Sequence, residues 1–348
     1  MRAFQFAMFL TLIGFNTTTR AADDDVNESV TIEKVTQLGG IVRKDETLPG
    51  HPVTMVIFQS KKHLKDQDLS LLKGFAQLKR LQLAYSPITD LGMQTIGELE
   101  SLEGLGLTGV PISDAGVKEL ISLTNLTTLN LGGTKITDVG LKDISQIESL
   151  TNLSLGGTQI TDDGLKELRT LKNLTTLGLG NGQITDKGLQ ELRELENLTN
   201  LDLTSSQITD AGMKDLGELV NLKLLDLNSS LKITGAGIRQ LSRLTQLTTL
   251  RLGSTRVSDR SMNEIGELKS LTNLDLSGTE ITDGGMQEIT RLKNLTTLAL
   301  VQTKLTDASL SKIGQLPELT SLDLTSTRIS PSSVEKLKKT RPNLKVAQ

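Results

Sequence analysis

The chain has 348 residues, of which 36% are hydrophobic but only 2% aromatic, with 31 Gly, no Cys and no Trp. Disulfide and thiol chemistry are excluded, and any core must be aliphatic. A formal net charge of −3 supplies neither the basic surface that nucleic acid selects nor an attraction to anionic membranes.

The first element in chain order is a leader. Arg2, the apolar run Phe4–Phe15 and the small-residue step Thr19-Arg20-Ala21-Ala22 have the form of a secretory signal peptide over 1–21. The run falls short of the roughly 20 residues a membrane-spanning helix needs. Loss of Arg2 and Arg20 on cleavage lowers the 38 basic side chains to 36 against 41 acidic ones, a net charge of −5. An exported chain, periplasmic or secreted and without a membrane span after cleavage, is the expectation. Residues 22–52 then read as a leader and N-terminal cap. Asp23–Asn27 is expected to be disordered, Glu28–Leu38 a short helix, and Ile41–Arg43 a strand before the Pro49-Gly50-His51-Pro52 turn. Val53–Phe58 follows as an imperfect first repeat strand, with Gln59 where the repeat expects Leu.

From there to 331 one unit of 24 residues recurs in about twelve copies. Asp66, Asp90, Asp114, Asp138, Asp162, Asp186 and Asp210 mark its phase. After one extra residue in the loop Asn228–Lys232, the phase resumes at Gly235, Asp259, Asp283, Asp307 and Pro331. Each copy changes period midway. Leu129 and Leu131 alternate as on one face of a short strand, whereas Leu141, Ile144 and Ile147 make one stripe on a helix of two to three turns. Thr137 or Asp138 stands where that helix needs an N-cap. The recurring Asp is therefore expected to cap helices and not to hold calcium, which needs several oxygens converging on one loop. Residues 332–348, with Val334, Leu337 and Leu344, are expected to cap the far end.

Leu126-x-x-Leu129-x-Leu131 joined to Ile136-Thr-Asp-x-Gly-Leu141 resembles the leucine-rich repeat, in its bacterial, ribonuclease-inhibitor-like and F-box-associated subclasses, over roughly 53–346. The Ile-Thr-Asp-x-Gly-Leu half is most similar to repeats of secreted bacterial proteins. The resemblance implies an α/β fold, a right-handed horseshoe with a parallel sheet on the concave face and helices outside. It departs where the family usually places Asn after the strand. Thr134, Thr158, Thr255, Thr279, Thr303 and Thr327 stand there, a threonine ladder interrupted at Val110 and Gly182.

Little in the chain reads as chemistry. His51 and His63 lie near no patterned nucleophile, and the Gly-Gly pairs lack the Lys-Ser/Thr of a phosphate loop. No enzyme, cofactor or metal is expected. The Asn-x-Thr triplets at Asn125, Asn173, Asn197 and Asn294 fall at helix-to-strand junctions, where Asn can bond backbone. What remains is the concave face. Its central column reads Phe58, Gln82, Gly106, Asn130, Ser154, Gly178, Asp202, Asp226, Arg251, Asp275, Ala299 and Asp323. Two sites are candidates. Asp202, Asp226, Asp275 and Asp323 with Arg251 suit a basic or polar ligand, Asp226 and Asp275 lying near ~10 Å apart at ~4.8 Å per strand; against this stands a plain solvated stripe. Phe58 and Tyr85 suit an aromatic anchor, Phe58 being equally open to a place in the cap core. The function expected is a protein-binding scaffold with an unidentified protein partner. The alternatives are a structural, envelope-associated repeat protein and, less favoured, a substrate receptor like the F-box leucine-rich-repeat proteins, for whose helical domain there is no room before Val53.

Overall fold

A computed structural model describes residues 28–60 and 63–348. The expected signal peptide and the Asp23–Asn27 leader lie outside the described residues. A helix over 28–37 comes first, then strands β1 (Ile41–Lys44) and β2 (Val53–Ile57), paired antiparallel as a hairpin. Every later pairing is parallel, from β3 (Arg80–Gln82) through β13 (Ser321–Asp323) to β14 (Lys345–Ala347). Among the described residues the fourteen strands form one sheet in chain order, a short helical segment returning the chain between successive parallel strands. This is an α/β solenoid with the sheet on its concave face and the helices on its convex face.

The seven aliphatic positions of the copy at 126–147 are all at most 2% exposed, and their counterparts stack on them from repeat to repeat. The helical half is shorter than its apolar stripe suggests. Asp138–Ile144 is α-helical, but Leu165–Thr170 and Asp66–Gly74 are 3₁₀ helices, and Ile147 falls beyond its helix. Apolar residues spaced by three suit either form, since three residues per turn keeps them on one line and an α-helix keeps them on one face.

The recurring Asp does something other than cap. The helix N-cap is the Thr before it: Thr137 Oγ1 accepts the Val139 N–H at 3.2 Å. The Asp reaches forward to the next repeat. Asp114 accepts the Thr137 N–H on one carboxylate oxygen (2.8 Å) and the Thr137 hydroxyl on the other (2.6 Å). The same two-bond staple joins Asp66 to Thr89, Asp90 to Ser113, Asp210 to Thr234, Asp259 to Thr282 and Asp307 to Ser330. In most copies a Gly two residues after the Asp makes room for the carboxylate arriving from the preceding copy, since a Cβ on Gly116 would lie 2.5 Å from the Asp90 carboxylate; Ser261 and Ser309 take that place in two later copies.

The expected threonine ladder is local. Thr134, Thr158, Thr255, Thr279, Thr303 and Thr327 each donate the hydroxyl to the carbonyl three residues back in the same repeat. A ladder that crosses repeats runs along the other strand ends. Thr151 Oγ1 donates to the Thr127 carbonyl, Thr175 to Thr151 and Thr199 to Thr175. It lapses at Lys223 and resumes at Thr248, Thr272, Thr296 and Thr320. Asn125, Asn173, Asn197 and Asn294 donate their side-chain amides to carbonyls of the preceding repeat, a structural use of those triplets.

Each strand ends in a turn that needs one left-handed residue. Ser60, Tyr85, Gly109, Gly133, Gly157, Asn181, Ser205, Ser229, Ser254, Gly278, Gln302 and Ser326 fill that column, with φ between 55° and 70°. The residue after it donates its N–H to the carbonyl three back at Ser86, Val110, Thr134, Thr158, Ser206, Ser230, Thr255, Thr279, Thr303 and Thr327. At the far end the helix Pro331–Thr340 lays Val334 and Leu337 on the last repeat. Arg341 closes that end by donating to the carbonyls of Gly314, Leu316, Pro317 and Leu319.

Candidate binding face

The first correction concerns register. Val56 pairs with Leu81 and Ile57 with Gln82, so Ile57 and not Phe58 begins the central column. Phe58 takes the inward position equivalent to Leu83 and is 2% exposed. Its ring lies against Gly40 and the cap helix, where a Gly40 Cβ would come within 2.6 Å of both Phe58 and Val35. Phe58 is cap core and offers no surface to a partner. Tyr85 is 61% exposed and lies on the rim beyond β3, its ring over Gly109, where a Cβ would meet it at 2.5 Å. The two aromatics therefore do not form one anchor.

The acidic stripe is partly brought together. Asp202, Asp226, Arg251 and Asp275 sit side by side on four successive strands, while Ala299 separates Asp323 from Asp275. Five strand steps, about 24 Å at ~4.8 Å each, separate Tyr85's repeat from Asp202. Each Asp has a local task where the strand turns away. Asp202 accepts the Thr204 N–H, Asp226 the Asn228 N–H, Asp275 the Ser277 N–H, and Asp323 both the N–H and hydroxyl of Thr325. Asn130 serves Gly132 in the same way. These are Asx turns, for which Asp and Asn are chosen because a short side chain can reach the N–H two residues on.

Asp226 is fully engaged. It is 7% exposed, and its second oxygen accepts from Arg251 at 2.9 Å. Its neighbours keep more freedom: Asp202 and Arg251 are exposed, and Asp275 and Asp323 are half-buried, each with one oxygen turned to no hydrogen-bond donor among the described residues. Beside the column, Leu224 replaces the Thr or Asn found at Thr176, Asn200, Thr249 and Asn273. In the N-terminal half the strand positions Gly104, Gly106, Ser154 and Gly178 are small, with Gly104 and Gly106 buried between neighbours and the longer Arg80, Gln82, Asn130 and Asn152 beside them. Sequence reasoning missed the Asx turns, although an Asp or Asn followed two residues later by the loop in five copies was a usable signal.

Elsewhere the structure gathers little chemistry. Among the described residues no three His, Asp or Glu side chains are placed to hold a metal ion. His51 lies 3.4 Å from Glu46 on an exposed turn. No helix among the described residues is long and apolar enough to cross a membrane.

The sequence profile of the leucine-rich repeat region matches residues 53–283, and that of a further leucine-rich repeat matches 315–338. The chain belongs to the leucine-rich repeat family. Among solved structures it is similar to an internalin (inlF) of Listeria monocytogenes at 22% identity and a TM-score of 0.62, covering 94% of this chain and 96% of that one. It is also similar to a leucine-rich-repeat protein of Leptospira interrogans at 24% identity and a TM-score of 0.53, covering 80% of each. At these identities the likeness is one of fold. No curated protein matches the chain.

Proposed function

We propose that this protein is a non-catalytic, extracytoplasmic scaffold that binds a protein partner on the concave face of its solenoid. One observation carries the reading. The repeated Thr, Asp, Gly and Asn of the consensus are spent on caps, staples and ladders, so on the open face of the sheet only the residues that vary from copy to copy are left to meet a partner. Specificity then belongs to Asp202, Asp275 and Asp323 with Arg251, and to Tyr85 on the rim. Export rests on the signal-like sequence over 1–21, and the fold it shares with an internalin fits a life outside the cytoplasm.

The test uses the mature chain as bait against envelope and culture-medium proteins, beside a variant with Asp202→Asn, Asp275→Asn and Asp323→Asn. Asn keeps the Asx turns while removing charge. A partner held by the wild type, lost by this variant and kept by a convex-face variant such as Lys142→Ala supports the reading. A partner held equally by all three places recognition away from the concave face. Cell fractionation with N-terminal sequencing of the mature protein tests export; a full-length chain in the cytoplasm overturns it. Concentration-dependent self-association in light scattering, with no partner retained, favours a structural role.

A further inference from the structure

The structure assigns Asn181-Gly182 as a site of spontaneous covalent modification, at which the Asn181 amide is converted to aspartate and isoaspartate. Asn181 is exposed, holds the left-handed turn position at φ 56°, and its side-chain amide makes no hydrogen bond among the described residues. Gly182 stands where other copies carry a Thr whose hydroxyl and N–H both lock the turn to the carbonyl three back. Gly182 has no hydroxyl, and although the chain turns there as in the other copies, among the described residues of this column it is the one whose N–H falls outside good hydrogen-bond geometry to the carbonyl three back. A substituent there is sterically tolerated elsewhere, since Thr134 and Thr158 occupy the equivalent place. The Gly182 nitrogen is thus held more weakly than its counterparts and shielded by no side chain, and it adjoins a free Asn amide.

The chemistry balances with water as the only co-reactant. The Gly182 amide loses its proton to solvent base, and its nitrogen attacks Asn181 Cγ. The side-chain nitrogen takes up a proton and leaves as ammonia, closing a five-membered imide. Water then adds to either imide carbonyl, giving an aspartyl or an isoaspartyl link. The change places a new carboxylate on the rim of the repeat that precedes Asp202, where the small-residue half of the concave face gives way to the acidic half. Asn181 donates its N–H to the Thr204 carbonyl at 2.7 Å, so an isoaspartyl backbone, one methylene longer, also disturbs that junction.

Asn228-Ser229 provides the internal control. Its Ser229 N–H is bonded to the Gly253 carbonyl at 2.7 Å, and the Asn228 side chain accepts the Gly253 N–H at 2.6 Å. The experiment ages the folded full chain in neutral and mildly alkaline buffer and follows peptides by mass spectrometry and isoaspartate detection. Complete loss of the Asn181 amide is expected, at a rate proportional to hydroxide, with Asn228 intact. Gly182→Thr, which restores the consensus lock, and Asn181→Ser, which matches Ser205 and Ser229, should each abolish the change. If folded Asn181 keeps its amide under conditions that convert it in the urea-unfolded chain, the fold protects the site and the assignment is wrong. Conversion of Asn228 at the same rate would overturn the role given to the weakly held N–H.

Discussion

Phe58 shows what a single residue is worth at the open end of a stack. The repeats can share burial only with neighbours, so the first strand needs a cover, and the helix over 28–37 supplies it through Val35 and the close approach of Gly40. Phe58→Ala empties a fully enclosed site and should cost about 3–5 kcal/mol. Urea denaturation followed at the N-terminal cap measures it, and an unchanged midpoint would return Phe58 to the surface. Asp307 makes a pH-dependent contribution at the other end. Its pKa is lowered first by the Ser330 backbone N–H, then by the hydroxyls of Ser330 and Ser333. A carboxylate favoured in the folded state stabilises fully above the ordinary Asp value near 4, and this is lost as pH falls through the lower folded value. The difference in denaturation midpoint between wild type and Asp307→Asn should therefore be largest near neutrality and shrink on acidification below about pH 4. A difference that stays constant with pH would assign the effect to packing.

At the scale of the element, the staple is the part of this fold that was hardest to read from sequence. The 24-residue period, the strand leucines, the aliphatic core and the concave column were legible because each obeys a local periodicity. The Asp-x-Gly step was not, because its meaning lies in the following copy: Asp114 serves Thr137 and stands over Gly140. The first strand was misread by one residue for a related reason, Gln59 having been aligned to a Leu position that Phe58 fills. One coincidence in the sequence did carry the missing signal. Gly235 lacks the Asp, and Ser261, in the next copy, lacks the Gly. With no carboxylate arriving from Gly235, the Ser258 N–H turns to Ser261 Oγ at 3.1 Å. Lys65, with no preceding staple, uses Asp68 at the same place. A Cβ on Gly235 would lie 2.5 Å from Ser261 Cβ, but Asp283 staples Thr306 with Ser309 in the Gly place, so Gly235→Asp alone needs only a shift of Ser261, whereas Ser261→Gly alone strands the Ser258 N–H. The double variant restores the staple with its usual Gly. Ser261→Gly alone should destabilise, Gly235→Asp should offset that loss, and the coupling should reach about 0.5–3 kcal/mol. Strict additivity in the denaturation cycle would show that the two positions do not communicate.

For the whole molecule, the same junction decides how the array comes apart. A solenoid without disulfides or a second core has a stability close to a sum of repeat and nearest-neighbour contributions, and its weakest interface sets where cooperativity fails. Around the repeat holding Lys223 and Gly235 three departures fall together. Toward the preceding repeat Lys223 offers the Thr199 carbonyl no hydroxyl, the loop gains a residue at Asn228–Lys232, and toward the following repeat the staple from Gly235 is absent, although the Thr248 hydroxyl still reaches the Lys223 carbonyl there. The Arg251–Asp226 ion pair bridges the same region, but Arg251 is exposed, and a pair so open to solvent is worth about 1 kcal/mol or less. Increasing urea should therefore free the chain in two blocks, with hydrogen exchange losing protection on one side of residues 223–258 before the other. Restoring the staple with Gly235→Asp and Ser261→Gly should draw the two transitions together. A single transition in the wild type, coincident for strands on both sides, would mean that shared aliphatic burial alone couples the array and that the staples set register without governing cooperativity.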